Sequence, residues 1–419
     1  MRARPVHLLL ALVLPAASAR TAEPLTWDTC MTEAREHNPA LRAARLRLDT
    51  VRLRRWSAAG AFLPTLGASA GADASGEPGA GERAFPRYGA RLALGQSLFS
   101  GFASMAEADR AAAAARQEEA RERATEARIR HDLRAAFTET LFQQDNQRLR
   151  EEIAARWKRN AELVAARLSA GKEEASSLEQ AQAEVTKAGF EVARAGRAVL
   201  RARQKLSRAM GRERFEVFAV AGNWDAAPPP VNPEMNGMVE RTPEVQEATA
   251  ALEGEQAALR ESGAAFWPSV DASVSLARDG PAWPPAESRS WTAGLSVSYA
   301  LFSGLRDRVN LAAARNAAEA AREDLLIARR ETLESFEEAL SPYADAYEAV
   351  SVRRQSRDAA RARAETARSH YETGDTGFDQ WHEVEQGLVE AETEALGAQR
   401  EALDAESGWR RAIGEGFPK

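Results

Sequence analysis

One cysteine, Cys30, in 419 residues excludes a disulfide framework and any cysteine-built metal site. The five histidines, His7, His37, His131, His370 and His382, show no ligand spacing, so neither a metal nor another cofactor is expected. No apolar run reaches the roughly 18 residues that a spanning helix needs, which excludes a polytopic helical membrane protein. The charged fraction is 28% and the net charge is −6, so nucleic-acid binding through a basic surface is not expected. No nucleophile–base pair is visible. Gly76 to Gly81 is glycine-rich but has no helix behind it, so it is not a phosphate loop, and the chain is not expected to be an enzyme. Glycine and proline are both missing from Phe102 to Ala170. A helix over that stretch would reach roughly 100 Å.

What is present begins with a targeting pattern. Arg2 and Arg4 precede the apolar run Leu8 to Leu14, and Ala17-Ser18-Ala19 supplies small residues. This is the layout of a secretory signal peptide, with cleavage expected after Ala19. Cys30 lies well past that cut, so lipidation is not indicated. It reads instead as a small apolar residue of a first helix.

The rest of the chain is one unit written twice. Asn38-Pro39 recurs as Thr242-Pro243, and Phe62-Leu63-Pro64 as Phe266-Trp267-Pro268. Leu98-Phe99-Ser100-Gly101 recurs unchanged as Leu301-Phe302-Ser303-Gly304, and Gly171 recurs as Gly374. The expected division is a signal peptide at 1–19, a first repeat at 20–210, a connector at 211–241, a second repeat at 242–412 and a tail at 413–419. Pro228-Pro229-Pro230 marks the connector as a linker.

Each repeat is expected to run helix, strand, strand, long helix, shorter helix. The strands show in alternation. Val270, Ala272, Val274 and Leu276 face one way, as do Trp291, Ala293, Leu295, Val297, Tyr299 and Leu301 on the return. Leu66, Ala68, Ala70 and Ala72, then Tyr88, Ala90, Leu92, Leu94 and Leu98, repeat the pattern more weakly. Strands of about ten or eleven residues, tilted near 45°, span about 25 Å, the height of an outer-membrane apolar band. Phe62, Phe99, Phe266, Trp267 and Phe302 mark one end of them, and Tyr88 and Trp291 the other. That placement suits an interfacial girdle.

The second long segment, Leu305 to Thr373, is interrupted only by Pro342, where a kink is expected. The shorter helices carry a three-four spacing. It runs Leu178, Ala181, Val185, Ala188 and onward to Leu206, then Trp381, Val384, Leu388, Ala391 and onward to Trp409. A 3.5-residue period demands coiled-coil packing. Four strands cannot close a barrel, and an open edge cannot sit in lipid. Several copies must therefore share one barrel. Three give twelve strands, and a wider assembly is left open by the sequence.

At this point the chain resembles the TolC family of outer-membrane efflux channels over nearly its whole mature length. The resemblance rests on Leu25-Thr26-Trp27 through Asn38-Pro39-Ala40-Leu41, Leu63-Pro64 and both Leu-Phe-Ser-Gly junctions. It extends to the turns Leu168-Ser169-Ala170-Gly171 and Tyr371-Glu372-Thr373-Gly374, the latter followed by Phe378-Asp379-Gln380-Trp381. It implies a mainly helical fold with membrane strands, in which a trimeric twelve-stranded β-barrel continues into a periplasmic α-barrel. It also implies a Gram-negative outer-membrane duct, working with a periplasmic adaptor and an inner-membrane pump. Family members carry acidic gate residues at positions matched here by Gln380 and Glu383. Glu383 fits, Gln380 departs, and Asp379 is adjacent. A threefold ring of Glu383, with Asp379, would attract cations. The exposed turns, with Ser169, Gly171 and Lys172 in one and Gly374 and Asp375 in the other, are the expected adaptor-docking tips. A periplasmic adaptor and a fibrous coiled-coil protein are the alternatives. The first predicts one hairpin rather than two, and the second leaves the strands unexplained.

Overall fold

The computed structural model describes residues 24–75 and 85–418. The expected signal peptide and the glycine-rich stretch from Gly76 lie outside the described residues.

The entry to the first repeat is two helices, α1 (Trp27–His37) and α2 (Pro39–Ala59). Pro39 forces the break, because it drives the residue before it out of the helical region. Asn38 is extended, at φ −65° and ψ 120°. Its side chain accepts from the Ala40 amide at 2.9 Å and donates to the Ala209 carbonyl at 2.9 Å. Thr242 precedes Pro243 in the same extended shape at the start of the matching helix.

Four strands follow the repeats in pairs: β1 (Thr65–Ser75) with β2 (Phe85–Ser100), and β3 (Ser269–Gly280) with β4 (Ser288–Ser298). They form one antiparallel sheet in the order β1-β2-β3-β4. The centre of that sheet, β2 with β3, joins the two repeats. Register aligns the apolar sets across all four strands: Ala68 opposite Leu92, Leu92 opposite Leu276, Leu276 opposite Trp291. The alternation therefore defines one continuous apolar face. It is open to the surroundings: Trp291 is 74% exposed and Val297 66%. A soluble sheet buries such a face, whereas lipid accepts it. The opposite face carries Ser69, Arg91, Ser273, Ser275 and Thr292, and Arg91 donates to Ser275 at 3.1 Å.

Two strand lengths differ from expectation. β2 is longer, with a bulge between Ser97 and Phe99 that carries it to Ser100. β4 stops at Ser298 rather than Leu301. The cause is lack of a partner: β3 begins at Ser269, which pairs with Ser298, so nothing in this chain can extend β4 further.

The helices leave the sheet through the Leu-Phe-Ser-Gly junctions. Each junction is a two-residue left-handed elbow: Gly101 (φ 65°) with Phe102 (φ 72°), and Gly304 (φ 67°) with Leu305 (φ 69°). Then come α3 (Ala103–Ser169) and α4 (Ala175–Met210) in the first repeat. After a one-turn helix, α5 (Met235–Val239), and α6 (Pro243–Gly263), the second repeat ends with α7 (Arg306–Thr373) and α8 (Phe378–Ala412). α7 stays helical through Pro342. The three-four stripes are the packed faces: Ala181, Ala188, Ala195, Val199, Ala202 and Leu206 are buried in α4, and Trp381, Leu388, Ala395, Ala398, Ala402 and Trp409 in α8. Among the described residues no helix is long and apolar enough to cross a membrane.

The connector is not a free linker. Its Phe218 and Val220 are buried with Cys30, Leu133, Phe137 and Leu206 in the main apolar cluster. Leu25 forms a bridge to Val220, donating to the Ala219 carbonyl at 2.9 Å. Cys30 is fully enclosed there, and burial pushes its thiol up to about 12, so it is an inert apolar residue. This belt lies partway along the long helices, between the sheet and the distant turns.

Candidate functional site

The far ends of the helices hold the residues of interest. α3 reverses into α4 through Gly171, at φ 71°. The Lys172 amide donates back to the Arg167 carbonyl at 2.9 Å, closing the last turn. α7 reverses into α8 through Gly374, at φ 93°, where the Asp375 amide donates to the His370 carbonyl at 2.8 Å. Ser169, Gly171, Lys172, Gly374 and Asp375 are all exposed. Asp375 also accepts from the Thr373 hydroxyl at 2.7 Å.

A latch joins the two turns. Arg167, at the end of α3, donates to the Tyr371 carbonyl at 2.7 Å, and its guanidinium lies 4.5 Å over the Tyr371 ring. The Tyr371 hydroxyl donates to Glu173 at 2.6 Å, and Ser177 donates to the same carboxylate at 3.0 Å. Burial alone would raise the Glu173 carboxyl. The hydrogen bonds from Tyr371 and Ser177 more than offset this and hold it below the usual carboxylate range. Tyr371 is correspondingly raised, first by burial and then by Glu173. It stacks on Trp381 at 4.3 Å, with the planes 10° apart.

Above the latch, α3 and α8 are held by ions. Arg156 donates to both Glu392 oxygens, at 3.3 and 2.9 Å, and its Nε lies 3.4 Å from Glu385. Arg361 of α7 adds a contact to Glu392 at 3.4 Å. Burial raises the Glu385 carboxyl. Glu385 therefore belongs to this packed cluster and not to a solvent-facing ring. His382 lies between Phe378 and Trp157, and burial lowers its pKa.

Asp379, Gln380 and Glu383 lie on the opposite, exposed side of α8. Neither Asp379 nor Glu383 forms an ion pair among the described residues. A groove of about 550 Å³ between α7 and α8 is lined by Glu383, Glu390 and Arg363. Glu390, one heptad beyond Glu383, was not singled out from the sequence. Arg167 and Arg156 were missed as well. One signal was available: Tyr371 and Trp381 stand where the first repeat has Leu168 and Leu178, and that departure from the repeat marks the latch.

An exposed apolar sheet of membrane height, continued by two coiled-coil hairpins, defines a subunit of an outer-membrane duct. The chain belongs to the outer membrane efflux protein family, whose model matches residues 30–212 and 236–415. It is an outer-membrane efflux channel protein with a large periplasmic helical part. Solved structures share the fold. CusC, reported for its transmembrane channel formation, superposes with a TM-score of 0.85 at 17% identity, covering 99% of both chains. The open-state MtrE outer membrane channel of Neisseria gonorrhoeae gives 0.82 at 19% identity, covering 93% of this chain and 88% of its own. The outer membrane protein VceC of Vibrio cholerae gives 0.81 at 17%, covering 94% and 97%. No curated protein sequence matches the chain significantly.

Proposed function

We propose that three copies assemble by edge-to-edge pairing of β4 with the next copy's β1. The result is a twelve-stranded barrel continued by a helical tube, in which each copy contributes the two quasi-repeat units 20–210 and 242–412. The observation that carries this is the sheet itself: a four-stranded meander with an apolar face and two unpaired edges. Lipid does not tolerate such edges, and closure with further copies satisfies them. The duct is passive and not an enzyme, and export is driven by an inner-membrane pump through a periplasmic adaptor. The exposed tips Ser169, Gly171, Lys172, Gly374 and Asp375 are the docking points, being the part farthest from the membrane. Asp379, Gln380 and Glu383 line the gate, and the Arg167–Tyr371–Glu173 latch holds it narrow.

The mass of the detergent-extracted outer-membrane species tests the assembly, and a monomer refutes it. The expected outcome of reversing charge at Lys172 and Asp375 is loss of export and of adaptor cross-links with trimer yield unchanged. Persisting cross-links place docking elsewhere on the tube.

A further inference from the structure

The apolar face of the sheet carries one feature that lipid tails do not explain. Arg278 of β3 and Arg289 of β4 lie directly opposite each other in register. Alternation puts both on the apolar face, with Leu276 and Trp291 one step toward the helices. Like charges directly opposite destabilise a sheet unless an anion lies between them. Neither arginine has an ion-pair partner among the described residues. The neighbouring Asp279 is turned to the other face, where its carboxylate lies against Gly89. Height matters as much as charge. The pair sits between Trp291 and the level of Tyr88, which is opposite Gly280. These two aromatics mark the girdle at the end away from the helices, which is the outer leaflet. Beside the pair lies a groove of about 620 Å³, bounded by both arginines, Ala68, Ala70, Ala90 and Leu276. Small side chains there leave room for an acyl chain to lie against the strands.

On the reading of the sheet as the membrane wall, we propose that Arg278 and Arg289 form a site for a phosphorylated lipid of the outer leaflet. The two guanidiniums bind its phosphate, and the alanine-floored groove takes an acyl chain. Paired guanidiniums match a phosphate's oxygens through directed, charge-assisted hydrogen bonds. In a low-dielectric girdle those bonds are screened less than at an open surface.

The test is native mass spectrometry of the full-length assembly purified from outer membranes. Diphosphorylated lipid A, its dephosphorylated form and inorganic phosphate are titrated separately. The expected result is occupancy by the diphosphorylated lipid alone, weakened roughly tenfold per guanidinium removed in Arg278→Gln and Arg289→Gln. Arg87→Gln, on the opposite face of β2 and outside the groove, keeps wild-type occupancy. Arg278→Lys retains charge and partial binding, so a folding defect in the double variant does not obscure the outcome. Equal binding of the dephosphorylated lipid, or full occupancy in Arg278→Gln/Arg289→Gln, overturns the phosphate site. Binding of inorganic phosphate as strong as that of the lipid also overturns it. If the wild-type chain is absent from the outer-membrane fraction, the reading of the sheet falls and takes this site with it.

Discussion

Tyr371 shows how one hydroxyl ties two helical turns together. Tyr371→Phe removes the donor to Glu173, a charge-assisted bond worth about 1.5–3 kcal/mol. The expected outcome is a wider resting pore, measured as higher conductance in planar bilayers at neutral pH. The sign of the pH dependence follows from Glu173. Its carboxyl is held below the ordinary range, so its contribution is present above that range and lost as pH falls through the lowered value. Wild-type conductance should therefore stay flat from neutral pH down to the ordinary carboxylate range and rise only below it. A rise between pH 7 and 5 would rule out Glu173 as the titrating group. Arg156 makes a second residue-scale case. Arg156→Leu leaves Glu385 and Glu392 buried without their main partner, which costs about 3–5 kcal/mol. Thermal unfolding followed by circular dichroism checks the loss. Asp404 predicts the opposite. Burial raises it to about 6 from 3.8, so its ionisation opposes folding as pH rises between those values. Asp404→Asn should flatten that decline, and an unchanged pH–stability profile would contradict the assignment.

Elements were the most legible level in the sequence. Val270 to Leu276 and Trp291 to Val297 announced their shared face through period-two alternation, and register confirms it. An arginine at Leu295, opposite Ala272 and nearer the midplane, should cost about 2–4 kcal/mol, whereas one at Val297, beside the end of β4, should cost much less. If Leu295→Arg assembles normally while Ser296→Arg does not, the faces are inverted. The two glycine elbows were visible as a repeated motif, but their unequal surroundings were not. A Cβ on Gly101 would lie 2.6 Å from the Ala264 carbonyl oxygen, whereas one on Gly304 meets nothing within 4 Å. Gly304→Ala should cost about 1–2 kcal/mol for its left-handed backbone alone, and Gly101→Ala clearly more. Assembly yields of the two variants, compared side by side, check the order. What stayed hidden has a common cause. Arg167, Glu173 and Tyr371 come from three segments, with about 200 residues separating the first two from Tyr371, and no local periodicity predicts such a meeting. The burial of Phe218 and Val220 escaped for the same reason, since a proline-rich connector carries no stripe to announce its partners. The early end of β4 depends on where its partner strand begins, which Tyr299 and Leu301 cannot signal.

At the scale of the whole molecule, the repeated elbows and the unequal tips together dictate symmetry. Both repeats leave the sheet through left-handed pairs whose φ angles agree within a few degrees, Gly101-Phe102 and Gly304-Leu305. In the proposed trimer, six near-identical spokes therefore radiate from the wall, and that end is close to sixfold. The other end alternates: the α7–α8 turn carries Tyr371 and Trp381, the α3–α4 turn Leu168 and Leu178, so only a threefold axis survives there. In that trimer we expect an iris fixed at its rim. There the spokes share one backbone turn, whereas the far end has three hairpins of one kind held by three of the other. Images of the Arg167→Ala assembly should show an unchanged rim and belt, with dilation confined to the tips and led by alternate hairpins.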